Sequence, residues 1–136
     1  MAPHPDPTIA WPTALRLPPG GAGLSWGMTL ADTAARVDGV RHLAPPITRL
    51  VLDAPAIVQG LALTATLVFE LERLVRIELA GSIDGLVLAA LGAEAAGTFD
   101  VGHYRLRRGD TVIEIDALDG LVALEPAPGS EPTELP

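Results

Sequence analysis

Two pairs of carboxylates at alternate positions are the residues of this chain best placed to do chemistry. Glu70 with Glu72, and Glu114 with Asp116, fall on one face of a strand when the backbone is extended. Like charges held close together can divide acid and base roles. On an exposed strand the repulsion is small and screened, and the chain has only two Trp, two Phe and one Tyr to line a closed pocket. The pairs therefore do not predict an enzyme.

Histidine and cysteine usage argues against a metal centre. His4, His42 and His103 are far apart in sequence, and none stands in the spacing of a histidine-based zinc site. The chain has no cysteine, which excludes disulfides, thiolate catalysis and cysteine-ligated zinc. We predict no catalytic residue, no metal and no cofactor.

Three further motifs are explained by backbone geometry. Ser25 and Ser82 lie near glycine without a Gly-x-Ser-x-Gly pattern, so capping or turn roles suffice. The Pro- and Gly-rich residues 18–23 lack the Gly-Lys-Ser/Thr of a phosphate loop and indicate a linker. Arg108-Gly109-Asp110 spells an adhesion tripeptide, but this composition is also typical of a tight hairpin turn.

The charge balance is more informative than any motif. Nine arginines, no lysine and seventeen acids give a formal net charge of −8 over 136 residues. Nucleic acid is thereby an unfavourable ligand, whereas a basic protein is a favourable one. No cation follows Arg108, so the candidate partner-binding residues are mainly C-terminal: Asp110, Glu114, Asp116 and Asp119, with Glu70 and Glu72 second. The alternative explanation is solubility alone.

The length indicates one domain. We expect a Pro/Gly-rich N-terminal segment over residues 1–23, a single α+β domain over residues 24–125, and a disordered acidic tail over residues 126–136. The N-terminus has no basic, apolar signal segment, and no apolar stretch approaches the roughly 20 residues of a membrane helix. A cytoplasmic protein with no membrane contact is expected.

A helix start is the clearest local signal. Thr29 and Asp32 stand in capping-box spacing, so the threonine hydroxyl can accept from the Asp32 backbone N–H, worth about 1 kcal/mol. The spacing of Leu30, Ala34 and Val37 predicts a helix of about nine residues, with Gly39 as its left-handed C-cap. Trp26 is expected to be buried just upstream.

Strand patterns follow this helix. Residues 61–69 alternate apolar and polar positions and predict a hairpin with residues 75–79; residues 104–107 and 111–116 predict a second hairpin. Further strands are expected at residues 14–17, 47–52 and 121–124, and a second, buried helix at residues 83–91.

The predicted fold class is α+β. Two short helices are expected to pack on one face of a mostly antiparallel sheet, in the order helix, three strands, helix, three strands. This layout fits either a structural duplication or a simple meander.

One stretch resembles a known group of proteins. Ser25-Trp26-Gly27-Met28-Thr29 before a short helix, and later Gly60 with a strand that ends Leu67-Val68-Phe69-Glu70, resembles small bacterial α+β proteins with a Trp-Gly-Met-Ser/Thr helix start. Several of these are similar to immunity partners of secreted polymorphic toxins. The resemblance covers roughly residues 24–80 and carries no catalytic residues.

The resemblance implies a non-enzymatic immunity protein that blocks a basic toxin domain, such as a nuclease or a nucleotide-binding enzyme. The alternative is a structural or chaperone-like adaptor that holds a peptide or homodimerises through its sheet. A small-ligand enzyme is a third reading, which a deep polar pocket containing Glu70 or His103 would favour.

Overall fold

The protein folds as an extensive antiparallel sheet. The structure, a computed structural model, describes residues 15–83, 97–100 and 103–127, together with Ile9 and Trp11. Ten strands lie within these residues: β1 Leu15–Arg16, β2 Gly39–Ala44, β3 Ile47–Leu52, β4 Ala56–Val58, β5 Leu61–Glu70, β6 Arg73–Ala80, β7 Gly97–Asp100, β8 His103–Arg108, β9 Thr111–Asp116 and β10 Leu121–Pro126. A 3-10 turn, Gly21–Gly23, and one short helix, α1 Leu30–Ala34, precede β2.

The strands pair in the order β1-β4-β5-β6-β10-β9-β8-β7. Strands β3 and β4 share one edge of β5, where β4 pairs with Leu61–Leu63 and β3 with Thr66–Glu70. Strand β2 pairs with the other edge of β3. The sheet curls into a half-barrel, so one of its faces is concave and encloses the core.

The predicted fold class is wrong. Two helices were expected on one face of the sheet, but the described residues contain a single helix, Leu30–Ala34, of five residues. The molecule is mainly antiparallel sheet instead. The second predicted helix, at residues 83–91, lies outside the described residues apart from Ile83, which packs against the core.

The first helix is shorter than predicted because the chain is drawn into the sheet after one turn. Gly39 does not cap a helix; it begins β2 opposite Leu52. A Cβ at Gly39 would lie 2.5 Å from the Val51 carbonyl oxygen, so glycine is required here by the close approach of β3. Only four residues separate the end of α1 at Ala34 from the start of β2 at Gly39, so pairing with β3 ends the helical stretch early.

The predicted helix cap, hairpins and most strands are confirmed by the structure. Thr29 caps the helix, its Oγ1 accepting from the Asp32 N–H at 3.1 Å. Both predicted hairpins are present as β5–β6 and β8–β9, and the strands expected at residues 14–17, 47–52 and 121–124 correspond to β1, β3 and β10. Strand β2 was not predicted.

The core lies on the concave face. Leu50, Leu67, Ile77, Leu124 and Ile113 stand directly opposite one another across five neighbouring strands, and all five are buried. The segment before α1 covers this face and adds three buried side chains, Leu24, Trp26 and Met28, and Val37 adds a fourth just after the helix. The expected burial of Trp26 is confirmed, with 3% of the side chain exposed.

Backbone hydrogen bonds fasten this covering segment to the start of β6. The Gly27 N–H donates to the Leu74 carbonyl at 2.9 Å, and the Leu74 N–H donates to Met28 at 3.0 Å. The Leu30 N–H donates to the Glu72 carbonyl at 3.0 Å. The helix start is therefore held beside the turn between β5 and β6.

Across the described stretches of the chain, none of the helices has the length and apolar character needed to cross a membrane.

Candidate protein-binding site

The convex face of strands β6, β10, β9 and β8 carries charged side chains that neutralise each other. Arg76 lies between two carboxylates: its Nε is 2.9 Å from Glu78 Oε2, and its Nη1 is 2.7 Å from Glu125 Oε2. Partial burial lowers the pKa of Arg76, but the hydrogen bonds to Glu125 and Glu78 outweigh this effect and raise it overall.

Glu114 and Asp116 lie on the same face, as their spacing predicted, and each contacts a basic side chain on β8. His103 Nε2 lies 2.9 Å from Asp116 Oδ2, and Arg105 Nε lies 3.7 Å from Glu114 Oε2. Asp116 Oδ1 also accepts the backbone N–H of Asp119 at 3.0 Å. This backbone hydrogen bond, with the nearby His103, lowers the pKa of Asp116 against a smaller opposing effect of desolvation.

A cleft of about 310 Å³ opens between these groups. It is lined by Arg76, His103, Tyr104, Glu114, Ile115, Asp116, Leu121 and Ala123. A histidine–carboxylate pair is a component of many acid/base sites. Here Arg76, His103 and Asp116 all form hydrogen bonds with other side chains of the sheet, so the arrangement is that of a cross-strand ion-pair network.

The turn between β5 and β6 is different in character. Glu70 and Glu72 are both exposed, and neither forms an ion pair within the described residues. Between them Leu71 is 75% exposed, among the most exposed large apolar side chains of the described residues. The turn thus presents an apolar side chain flanked by two carboxylates that form no ion pair in the described part of the chain, although the exposed Arg73 stands opposite Glu70 in the ladder.

The backbone of this turn is strained. Leu71 and Glu72 have φ angles of 53° and 64°, in the left-handed region that favours glycine or asparagine. Two-residue hairpin turns of this kind ordinarily carry Asn-Gly or a similar pair, as Gln59 and Gly60 partly do between β4 and β5. Each non-glycine residue held there costs about 1 kcal/mol.

One more carboxylate belongs to this site. Because Leu30 donates its N–H to Glu72, the first turn of α1 lies against the β5–β6 turn, and Asp32 is exposed in that first turn. We call Asp32, Glu70, Leu71 and Glu72 the acidic turn. Sequence reasoning missed Leu71 and Asp32; an apolar residue between two acids at a turn, with no strand face to bury it, was the available signal for Leu71.

The remaining predicted residues do not join this site as one patch. Asp110 lies in the β8–β9 turn at the same end of the sheet, since the neighbouring Thr111 contacts Trp26. The exposed Arg107 stands three positions before it, so its surroundings are mixed in charge. Asp119 lies in the β9–β10 turn at the opposite end. No group of three or more His, Asp or Glu side chains suited to a metal ion occurs among the described residues.

Comparison with protein-family models, with curated protein sequences and with solved structures yields no significant match to this chain. The resemblance drawn from the Trp-Gly-Met-Thr start therefore stays a prediction.

Proposed function

We propose that this protein is a non-enzymatic binding module that engages a basic protein partner through its acidic turn. The observation that carries the proposal is Leu71, an exposed apolar side chain between the exposed carboxylates of Glu70 and Glu72. Stability does not explain this composition, because Leu71 buries little surface and an Asn-Gly turn would be less strained. Strained, exposed turns of this kind are typical of functional sites.

The chemistry of the turn suits recognition of a cationic surface. A central apolar side chain that becomes fully desolvated, with charges at its rim, is the arrangement in which a few residues supply most of the binding energy. The carboxylates of Glu70, Glu72 and Asp32 would steer a basic partner, and the net charge of −8 would extend that attraction beyond contact distance.

The partner class that best fits is the basic toxin domain implied by the resemblance at residues 25–29. An immunity protein has to bind tightly and quickly without doing chemistry, which requires charge complementarity and a rigid scaffold. The sheet offers such a scaffold, since the acidic turn joins two long paired strands, β5 and β6, and is fastened to α1.

The test is co-expression with the products of the genes that flank the coding sequence, followed by co-purification at increasing salt concentration. We expect a stable complex that weakens with salt, and relief of any growth inhibition caused by the neighbouring product. The variant Glu70→Gln/Glu72→Gln should weaken the complex by about tenfold or more.

The matched control is Asp38→Asn/Asp53→Asn, which removes the same two charges from exposed positions at the other end of the β2–β3 hairpin. This variant should leave the complex intact. Leu71→Asn should weaken binding while the fold keeps or gains stability, because asparagine tolerates the left-handed conformation better. Failure to form a complex with any neighbouring product, or equal loss in both double variants, contradicts the proposal.

A further inference from the structure

Strand β2 forms an open edge of the sheet and projects from the core. Within the described residues it pairs only with β3. Every residue from Val40 to Ala44 is exposed, with Val40 at 55% and Leu43 at 71%, although the two side chains point to opposite faces. Both faces of β2 are therefore accessible, and no other strand in the described part of the chain pairs with its outer edge.

The hydrogen-bonding alternation identifies which backbone groups are free to bind. The Asp53 N–H donates to the Asp38 carbonyl, and the Pro46 carbonyl accepts from Leu71 on the β5 side. Along an antiparallel ladder, every second residue of a strand forms backbone hydrogen bonds with its partner strand. These two contacts show that in β2 the hydrogen-bonded residues are Val40, His42 and Ala44, whose N–H and C=O groups point toward β3. The N–H and C=O groups of Arg41 and Leu43 point away from the sheet.

The charge of this edge is opposite to that of the molecule. Between Asp38 and Asp53 the chain has no acid, while Arg41, His42 and Arg49 are all exposed. His42 stands directly opposite Arg49 in the ladder. None of the three forms an ion pair within the described residues. A basic strand edge thus lies on an acidic protein.

We infer that β2 is a strand-addition site for an extended acidic segment of a protein partner. Such a segment would pair antiparallel or parallel with the outward backbone groups of Arg41 and Leu43, and carboxylates on one of its faces would meet Arg41. The alternate, apolar residues of the segment would lie on the opposite face and cover Val40. The inference does not depend on the proposed function, because it concerns a different surface with the opposite charge.

A second copy of this chain is the less favourable occupant. Pairing of β2 with itself brings Arg41, His42 and Arg49 of both copies together, with no carboxylate from either β2 or β3 to offset them. Like charges across neighbouring strands are destabilising. The arginines that oppose self-association favour an acidic strand.

The experiment measures binding of a fluorescein-labelled peptide, Glu-Val-Glu-Val-Glu-Val, by fluorescence polarisation, with Lys-Val-Lys-Val-Lys-Val as the reference probe. We expect saturable binding of the acidic peptide at least about tenfold tighter than that of the basic one. Leu43→Pro removes an outward N–H without breaking the ladder to β3 and should weaken binding by about tenfold; Leu43→Ala keeps the N–H and should weaken it less.

Arg41→Glu is a second variant, which tests the charge of the edge rather than its backbone hydrogen bonds. It should weaken acidic-peptide binding by about tenfold or more. Its matched control is Arg16→Glu, the same charge reversal at an exposed position on strand β1, which should leave binding unchanged. Circular dichroism and urea unfolding confirm that each variant is folded. Absence of saturable binding, equal binding of both peptides, or a homodimer in light scattering that Leu43→Pro dissociates would overturn the inference.

Discussion

Trp26 and Thr111, 85 positions apart, meet in the interior, where the indole Nε1 donates a hydrogen bond of 3.2 Å to the threonine Oγ1. Both side chains are buried. Thr111→Val preserves the shape of the side chain but removes the acceptor, and a buried donor without a partner costs about 1–3 kcal/mol. We expect the free energy of unfolding in urea to fall by that amount.

A double-mutant cycle separates this hydrogen bond from packing. Trp26→Phe alone loses both the N–H and buried volume, so its cost is larger. In the Trp26→Phe background, Thr111→Val should cost less than in the wild type, by about 1 kcal/mol, because no indole donor is left unpaired. Equal costs in the two backgrounds would show that the bond contributes nothing.

Arg76 pairs with Glu78 on its own strand and links β6 to β10 through Glu125, so its replacement by glutamine should destabilise the sheet. Arg76→Gln leaves two carboxylates close together without their cation, and we expect a loss of about 1 kcal/mol that shrinks in high salt.

The control for Arg76 is Arg105→Gln. The only carboxylate that pairs with Arg105 in the described structure, Glu114, lies 3.7 Å away, and both side chains are about half exposed. This change should cost less than about 0.5 kcal/mol. Urea unfolding of both variants at low and high salt checks the contrast, and equal losses would contradict it.

The hairpins could be predicted because their signals are local. Residues 61–69 alternate in polarity, a short turn follows, and one face of each strand is buried, so pattern and structure agree. Strand β2 could not be predicted in this way. It is exposed on both faces, so burial imposes no alternation on Val40 to Ala44, and only its pairing with β3 makes it a strand.

Only part of the candidate site could be predicted from the sequence, because charge is visible there but strand register is not. Glu70 and Glu72 were identified by charge, and the structure leaves both exposed. The C-terminal acids were expected to act together, but Glu114 and Asp116 pair with Arg105 and His103 on the neighbouring strand. Net charge along a sequence does not show which carboxylates the fold itself neutralises, because those partners are set by strand register.

Gly120 and Gly60 offer a matched pair for separating backbone strain from steric exclusion. Both have positive φ, 68° and 78°. A Cβ at Gly120 would lie 2.1 Å from the carbonyl oxygen of Gly81, whereas nothing lies within 4 Å of a Cβ at Gly60. Gly60→Ala should therefore cost about 1 kcal/mol, from conformation alone.

Gly120→Ala adds the clash and should cost roughly 3 kcal/mol or more. The clash also opposes the hydrogen bond from the Gly81 N–H to the Gly120 carbonyl, which joins the end of β6 to the β9–β10 turn. Thermal and urea unfolding of the two variants give the difference directly. Similar losses in both would mean that the turn relaxes to admit the methyl group.

Asp116 should make the protein less stable in acid. Its pKa is lower in the folded chain, because the carboxylate accepts the Asp119 backbone N–H and faces His103. In the unfolded chain an aspartate titrates at about pH 3.9. Between the two pKa values the unfolded state binds more protons, so the stabilisation is complete above the unfolded pKa and disappears as pH falls through the folded one.

Urea unfolding of the wild type and Asp116→Asn as a function of pH measures this contribution. The difference in the free energy of unfolding should be constant above about pH 5 and shrink below about pH 4. Asp119→Asn is the control, since it removes a neighbouring charge but keeps the backbone N–H that Asp116 accepts. If the difference for Asp116→Asn stayed constant or grew on acidification, the hydrogen-bonded carboxylate would not be the source of the acid sensitivity.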